Sequence, residues 1–334
     1  RVKTLHPKIH GALLARREKP EHMQAIEQAD ISTIDLLVVN LYPFEKTVRN
    51  PNATLEEIIE NIDVGGPAML RAASKNYQGV TVITDPADYV TLLEELRAHD
   101  GATTLDTRFK SAQKAFACTA KYDAAIANYL SSIDETPVPA RFPTYLTLSY
   151  ELLQTLRYGE NPHQQAALYR ETGPIGGTIT EARKIQGKPL SLNNYADANA
   201  AWECVKTFDP PACVIVKHAN PCGVAIGLSL AEAYEKAFRT DPTSSFGGIF
   251  AYNRIIDVET AEAMMKQFVE VIVAPGYAPK ALEVFARKPN IRLLEVPNED
   301  HVNRFELKQV NGGMLVQTSE TPPELASIAR VVTV

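Results

Sequence analysis

Short β-branched runs alternate with amphipathic helical segments along this chain, and this alternation restricts the fold to the α/β class. The runs at 34–41 (IDLLVVNL) and 79–84 (GVTVIT) are typical of buried parallel strands. Helical spacing predicts helices over 55–62, 67–74 and, longest of all, 105–130. Strands separated by helices predict a parallel sheet covered by helices.

A proline-rich segment divides the chain into two halves. Residues 134–143 (DETPVPARFP) contain three prolines, a composition typical of semi-rigid connections. We therefore predict domains over 1–135 and 151–334, joined by a linker over 136–150. The α/β pattern resumes in the second half, with predicted strands at 212–216, 248–252, 269–274 and 291–296 and predicted helices at 229–239 and 258–267.

Composition excludes several classes of protein. Of the 334 residues, 45% are hydrophobic and 22% charged, which argues against disorder, collagen and coiled coil. A net charge of −6 disfavours non-specific binding to nucleic acid. No apolar run approaches the roughly 20 residues of a bilayer span, so no membrane contact is expected. The four cysteines form no CxxC pair, which predicts reduced thiols in a cytoplasmic protein and no zinc site.

The first half carries a glycine pair in the motif NIDVGGP at 61–67. Gly65 and Gly66 allow unusual backbone angles, and backbone N–H groups at a helix N-terminus form an anion site. Asp63 and Lys75 are candidate proton-transfer partners that converge on one pocket. The alternative is an ordinary capped helix, in which Asp63 is the cap and Lys75 complements the helix dipole.

Two further positions in the first half are candidates for binding. Lys3 and Thr4, close to His6, form a polar group able to hold a phosphate or an oxyanion, or else an exposed loop. Tyr42 follows the first predicted strand, at the edge where open α/β sheets bind ligands. A core tyrosine with its hydroxyl at the rim is the alternative there.

The second half places Lys217 and His218 directly after the strand predicted at 212–216. Histidine exchanges protons near neutral pH, and an adjacent ammonium stabilises negative charge, so the pair predicts acid–base chemistry. Both side chains reach one site only if the chain turns there, and Asn220, Pro221 and Gly223 are the residues expected to turn it. A solvated strand end is the alternative.

Other polar loops are weaker signals. Arg157 offers a two-pronged donor for phosphate or carboxylate, and Tyr158 a ring that can stack on a base, although a helix-capping loop has similar composition. The small residues at 244–248 (SSFGG) allow close approach of a ligand to the backbone.

Taken together and in order, these motifs resemble the family of bifunctional purine biosynthesis proteins that combine AICAR transformylase with IMP cyclohydrolase. The matching stretches are RVKTLHP, NLYPFEKTV, NIDVGGPAMLRAASKN, LRYGENPHQ, VIVKHANPCG, TSSFGGI and IVAPGY. The resemblance implies a methylglyoxal-synthase-like three-layer first domain with a parallel sheet. It implies a second, partial α/β domain of cytidine-deaminase-like fold.

The resemblance also implies two reactions. One transfers a formyl group from the co-substrate 10-formyltetrahydrofolate to AICAR, giving FAICAR. The other closes FAICAR to IMP with loss of water. It implies no catalytic metal, no tightly bound cofactor, and a homodimer with a shared transformylase site.

By the same resemblance, particular residues carry each reaction. The cyclohydrolase site takes Lys3 and Tyr42 to steady the reacting oxygen, Asp63 and Lys75 to move protons, and Thr4, Gly65 and Gly66 to contact substrate. The transformylase site takes Lys217 and His218 as the catalytic pair. Its substrate contacts are Arg157 and Tyr158 from the neighbouring subunit, with Asn193, Phe246, Gly247 and Glu270.

Family sequences begin before Arg1 and continue beyond Gln317 with a second transformylase subdomain, so we expect an internal fragment. One alternative is therefore a nucleotide-binding fragment that keeps the fold and not the chemistry. Another is a methylglyoxal-synthase-type enzyme acting on triose phosphate, which leaves the second half without a role.

Overall fold

The computed structural model describes residues 4–133, 139–171, 176–297, 299 and 305–319. The chain divides into two compact units, Arg1–Ser149 and Tyr150–Val334. Lys3 lies outside the described residues, as do residues 134–138 of the proline-rich segment.

The first unit is built from helices around a short parallel pair of strands. Its elements are α1 (Pro7–Leu14), α2 (Pro20–Gln28), β1 (Leu36–Val38), α3 (Phe44–Val48), α4 (Leu55–Glu60), α5 (Gly65–Lys75), β2 (Thr81–Ile83), α6 (Tyr89–Ala98) and α7 (Leu105–Leu130).

Strands β1 and β2 are parallel, in the register Leu36 with Thr81 and Val38 with Ile83. Each is shorter than the run that predicted it. Leu37, Val39 and Leu41 all pack on the core, although only Leu37 lies in the paired segment. A run of apolar residues indicates burial, whereas a strand also needs a hydrogen-bonded neighbour. The predicted strands were therefore longer than the segments that pair.

The core of this unit joins α1, α5, β2 and α7. Its buried members include Leu13, Leu70, Ala73, Val82 and Ala115. Helix α7 spans the residues predicted for it, with Thr104 accepting the Thr107 N–H as its N-cap. The core therefore fixes helix α5, which begins with the glycine pair and follows Asp63 along the chain.

Over its described residues, the second unit consists of a mixed sheet with helices on both faces and two separate hairpins. Its elements are β3 (Tyr150–Thr155), β4 (Ala167–Glu171), β5 (Arg183–Gln186), α8 (Leu192–Val205), β6 (Ala212–Lys217), β7 (Asn220–Ile226), α9 (Leu230–Thr240), α10 (Pro242–Ser245), β8 (Ile249–Tyr252), α11 (Val258–Met264), β9 (Val271–Ala274), α12 (Pro279–Ala286), β10 (Arg292–Glu295), β11 (Phe305–Val310) and β12 (Gly313–Thr318).

The sheet runs in the order β5-β10-β9-β8-β6-β7, with β8, β9 and β10 parallel and the other pairs antiparallel. The four central strands were predicted within one to two residues of their bounds. The two edge strands, β5 and β7, were not. Strand β7 contains Pro221 and Gly223, which suggested a turn, yet an edge strand tolerates a proline because one side of its ladder is unpaired.

Alternate residues of β6 enter two separate cores. Cys213 and Ile215 face α9, whereas Val214 and Val216 pack with Trp202 of α8. The buried indole N–H of Trp202 donates to the Gly177 carbonyl at 2.8 Å. Helix α8 is thus fixed against the strand that ends at Lys217.

Candidate active site

The N-terminal end of α5 brings several predicted residues of the first unit together. The Asp63 carboxylate accepts the Gly66 N–H at 2.8 Å. A Cβ atom on Gly66 would lie 2.6 Å from Asp63 Oδ2, and one on Gly65 would lie 2.8 Å from the Thr4 carbonyl oxygen. Neither glycine has a positive φ, so the expected unusual backbone angles are wrong. Glycine is required here for close approach instead.

Tyr122 of α7 secures this loop, and it was not predicted. Its hydroxyl accepts the Asp63 N–H at 2.8 Å and donates to the Asn61 carbonyl at 3.1 Å. Burial raises the pKa of Tyr122, against the opposite effect of the hydrogen bond from Asp63 N–H, while Tyr42 also lies close enough to raise it. The hydroxyl therefore keeps its proton at neutral pH. Only the fold could reveal it, because 59 positions separate it from Asp63.

Removing this hydroxyl is expected to loosen the loop. Tyr122→Phe should lower the free energy of unfolding of the first unit by about 1–2 kcal/mol, since two backbone groups lose a partner. Tyr129→Phe is the matched control, because both rings pack edge-on against Phe44. The single tryptophan, Trp202, lies in the second unit, so its fluorescence reports unfolding of that unit only. Circular dichroism reports both units, and a transition that it shows without a change in fluorescence measures unfolding of the first unit. Equal stability of the two variants would contradict the prediction.

Lys75 lies away from this group. It is the last of the eleven residues of α5, whereas Asp63 precedes the first turn. At about 1.5 Å per residue the helix is about 16 Å long, so the two side chains do not touch each other, and their convergence on one pocket around a bound molecule stays a prediction. Two residues that are twelve positions apart along one straight helix are separated mainly by distance along the helix axis.

In the second unit, the chain turns at His218 and Ala219. Lys217 ends β6 and pairs with Asn220, the first residue of β7, and the two residues between them have φ of 56° and 58°. The predicted turn at Asn220, Pro221 and Gly223 is therefore wrong, since those residues lie in the strand.

Lys217 lies against the small-residue loop that was a separate candidate. Its ammonium donates to the Phe246 carbonyl at 2.9 Å. Gly247 follows with φ of 70°, and its N–H donates to the Phe268 carbonyl at 3.0 Å. The side chain of His218 is exposed. The fold thus brings Lys217, Phe246 and Gly247 together at the end of β6.

Glu270 belongs to a polar cluster beside the sheet. Its Oε2 accepts from Arg292 Nη1 at 2.7 Å and from Asn194 Nδ2 at 3.4 Å. The Arg292 side chain is 10% exposed and also donates to the Pro189 carbonyl. Because Arg292 is nearly buried, this ion pair fixes the direction of the Glu270 carboxylate. The sequence analysis did not predict Arg292 as a site residue, because the apolar residues around it indicated only a buried strand.

The loop with Arg157 and Tyr158 packs on itself. The Arg157 guanidinium lies 5.3 Å from the centre of the Tyr158 ring. Asn193 Nδ2 donates to the Glu160 carbonyl at 3.5 Å, which connects this loop to the first turn of α8. Arg157 is exposed, with its donors available for an anion.

Helix α8 also supplies polar residues that the sequence analysis left out. Asn194 reaches Glu270, and Asp197, one turn further along, accepts from the backbone at His218 and Ala219. Polar residues at 193, 194 and 197 lie on one face of an alanine-rich helix. That spacing was a usable signal.

Other features bear on the class of protein. The four cysteines are free thiols, and burial raises the pKa of Cys213 to about 12. Among the described residues no group of three His, Cys, Asp or Glu side chains is placed to hold a metal ion. Of the helices in the described ranges, none has the length and apolar character needed to cross a membrane.

Comparison with known proteins assigns the family. A model described as "AICARFT/IMPCHase bienzyme" matches residues 73–334, which is most of the chain. The chain belongs to this family. A second model, described as "MGS-like domain", matches residues 2–68. The predicted family and the predicted fold class, an MGS-like first domain followed by an α/β bienzyme domain, are thereby confirmed.

The AICARFT/IMPCHase chain is also similar to a solved structure described as "Crystal structure of ForH". The two are 33% identical, and the match covers 37% of this chain and 64% of that chain, with a TM-score of 0.32. This chain thus spans less than two thirds of that protein, and at this TM-score the similarity supports no statement about the fold.

Proposed function

We propose that this chain catalyses two steps of IMP biosynthesis. The first is formyl transfer from 10-formyltetrahydrofolate to AICAR, and the second is dehydrating closure of FAICAR to IMP. Membership of the bienzyme family supports the pair of reactions. The observation that carries the proposal is the end of β6, where Lys217 and His218 stand at a turn beside the Phe246 loop.

For formyl transfer, the proposed roles follow from proton chemistry. His218 accepts the proton that the weakly nucleophilic amine of AICAR loses as it attacks the formyl carbon. Lys217 uses one of its three N–H donors on the Phe246 carbonyl, which leaves two for the tetrahedral oxyanion and the departing folate nitrogen. Glu270, Gly247 and Asn193 contact substrate.

For ring closure, positioning supplies much of the rate, because the amide nitrogen and the formyl carbon belong to one molecule. Tyr42 and Lys3 stabilise the oxygen that becomes negative. Asp63, held by Tyr122 and the Gly66 N–H, accepts the amide proton as the nitrogen attacks the formyl carbon, and returns it to the hydroxyl group that leaves as water. Thr4, Gly65 and Gly66 shape the floor of this site, and we assign no step to Lys75.

We further propose a homodimer in the cytoplasm in which Arg157 and Tyr158 complete the partner's transformylase site. Arg157 is exposed, and the β3–β4 hairpin exposes apolar residues, among them Tyr150, Leu152 and Tyr169. A dimer interface would cover such a surface. Light scattering of the purified chain tests this, and a monomeric mass would contradict it.

Two assays test the activities separately. Synthetic FAICAR should yield IMP, and AICAR with 10-formyltetrahydrofolate should yield FAICAR, each at rates above the uncatalysed reaction. Ribonucleotide binding without turnover in either assay would instead support the nucleotide-binding fragment. Release of methylglyoxal from dihydroxyacetone phosphate would support the triose-phosphate enzyme.

A further inference from the structure

The turn at His218 and Ala219 has a backbone conformation that its residues disfavour. Both have positive φ, 56° and 58°, in a two-residue connection between paired strands. This is the pattern of a type I′ turn, which favours Asn-Gly because a side chain carrying Cβ crowds the backbone there. A histidine and an alanine in these positions need support from outside the turn.

That support comes from Asp197 of α8. Its Oδ1 accepts the Ala219 N–H at 2.7 Å, and its Oδ2 accepts the His218 N–H at 3.3 Å. One carboxylate thus takes both N–H groups of the turn, in charge-assisted hydrogen bonds. On the other side, Asn220 Nδ2 donates to the His218 carbonyl at 2.8 Å.

Asp197 lies on helix α8, which is packed against the sheet. Its neighbours Ala198, Ala201 and Trp202 are fully buried and pack in one core with Val214 and Val216 of β6. The helix that carries the carboxylate and the strand that leads into the turn therefore move together. A shift of the carboxylate relative to the turn is resisted by the packing of this core.

We propose that Asp197 is a positioning residue for formyl transfer, which holds the His218–Ala219 turn so that His218 and Lys217 act at one site. The inference rests on the proposed function. Asp197 acts through the backbone, because its two oxygens are bonded to N–H groups of the turn. It has no proposed contact with substrate.

The test uses variants of the full chain that differ at the carboxylate or the turn. Asp197→Ala removes both acceptors and should lower kcat for formyl transfer by about 10- to 100-fold, the scale of a misplaced catalytic group. Asp197→Asn keeps the shape and one acceptor, and should give a smaller loss. Asn199→Ala, at an exposed position of the same helix, is the matched control and should leave kcat unchanged.

Rescue separates positioning from a general structural effect. Glycine adopts positive φ without crowding, so Ala219→Gly should restore most of the kcat lost in Asp197→Ala. Ring closure, which uses the first unit, should be unchanged in every variant. Full formyl transfer by Asp197→Ala, or a loss that Ala219→Gly does not relieve, would overturn the proposal.

Amide hydrogen exchange provides a readout that does not depend on activity. Exchange at His218 and Ala219 should accelerate by at least about tenfold in Asp197→Ala, since both N–H groups lose their acceptor. Unchanged exchange would overturn the proposal even where kcat falls. An inactive wild-type chain would instead refute the proposed function, and the exchange result would still decide whether Asp197 holds the turn.

Discussion

Lys217→Ala and His218→Ala are each expected to lower kcat for formyl transfer by about 10²- to 10⁴-fold, the usual contribution of a positioned acid or base. Loss of the imidazole leaves the amine proton without an acceptor. Loss of the ammonium removes the donor that lies 2.9 Å from the Phe246 carbonyl and that we assign to the developing oxyanion. The double variant should fall little below either single one, because the two groups act as a unit.

Lys217→Arg distinguishes the two roles given to the lysine. Arginine keeps the positive charge and N–H donors but does not release a proton, so it should recover the part of kcat that comes from oxyanion stabilisation and not the part that comes from protonating the folate nitrogen. Lys236→Ala is the matched control, because that lysine forms an exposed pair with Glu232 on α9. Initial rates with AICAR and 10-formyltetrahydrofolate measure the effect, with IMP formation from FAICAR as the internal standard. Normal formyl transfer by Lys217→Ala and by His218→Ala would refute the assignment of the transformylase site.

The sequence predicted the parts of the fold that depend on apolar periodicity. Helix α7 and the central strands of the second unit carry continuous or regularly spaced apolar residues, and these have one consistent place in a layered α/β structure. Edge strand β7 was misjudged because its Pro221 and Gly223 are turn formers in isolation, and only the neighbouring β6 makes them part of a strand.

The candidate sites divide in a similar way. The position of the lysine and histidine at a strand end could be predicted from the apolar run before them, and their function, inferred because strand ends in α/β sheets bind ligands, stays a prediction. Tyr122 and Arg292 could not be predicted from local spacing, since each acts on residues far along the chain, whereas for Asp197 the polar face of α8 was a signal without a visible partner. Helix α5 separates Lys75 from Asp63 along its axis, so their predicted convergence on one pocket stays a prediction.

Gly66→Ala is expected to suppress ring closure by about 100-fold, because it displaces the carboxylate that we assign as the proton acceptor. The new Cβ would lie 2.6 Å from Asp63 Oδ2 and 2.8 Å from Leu41 Cδ2, distances at which atoms must move apart. The hydrogen bond of 2.8 Å from Gly66 N–H to Asp63 would be lost or bent as they do. Overpacking should also lower the free energy of unfolding of the first unit by about 1–3 kcal/mol.

The control for this substitution is Gly11→Ala in the middle of α1. There the new Cβ would meet only the flexible end of Ile31, at 3.3 Å, so activity should stay near that of wild type. A double-mutant cycle then tests the cause. In an Asp63→Ala background the carboxylate is absent, and Gly66→Ala should cost little further activity, because both changes act on one group. Independent, additive losses in the FAICAR assay would show that Gly66 does not act through Asp63, and would remove the geometric basis for placing the proton acceptor at this end of α5.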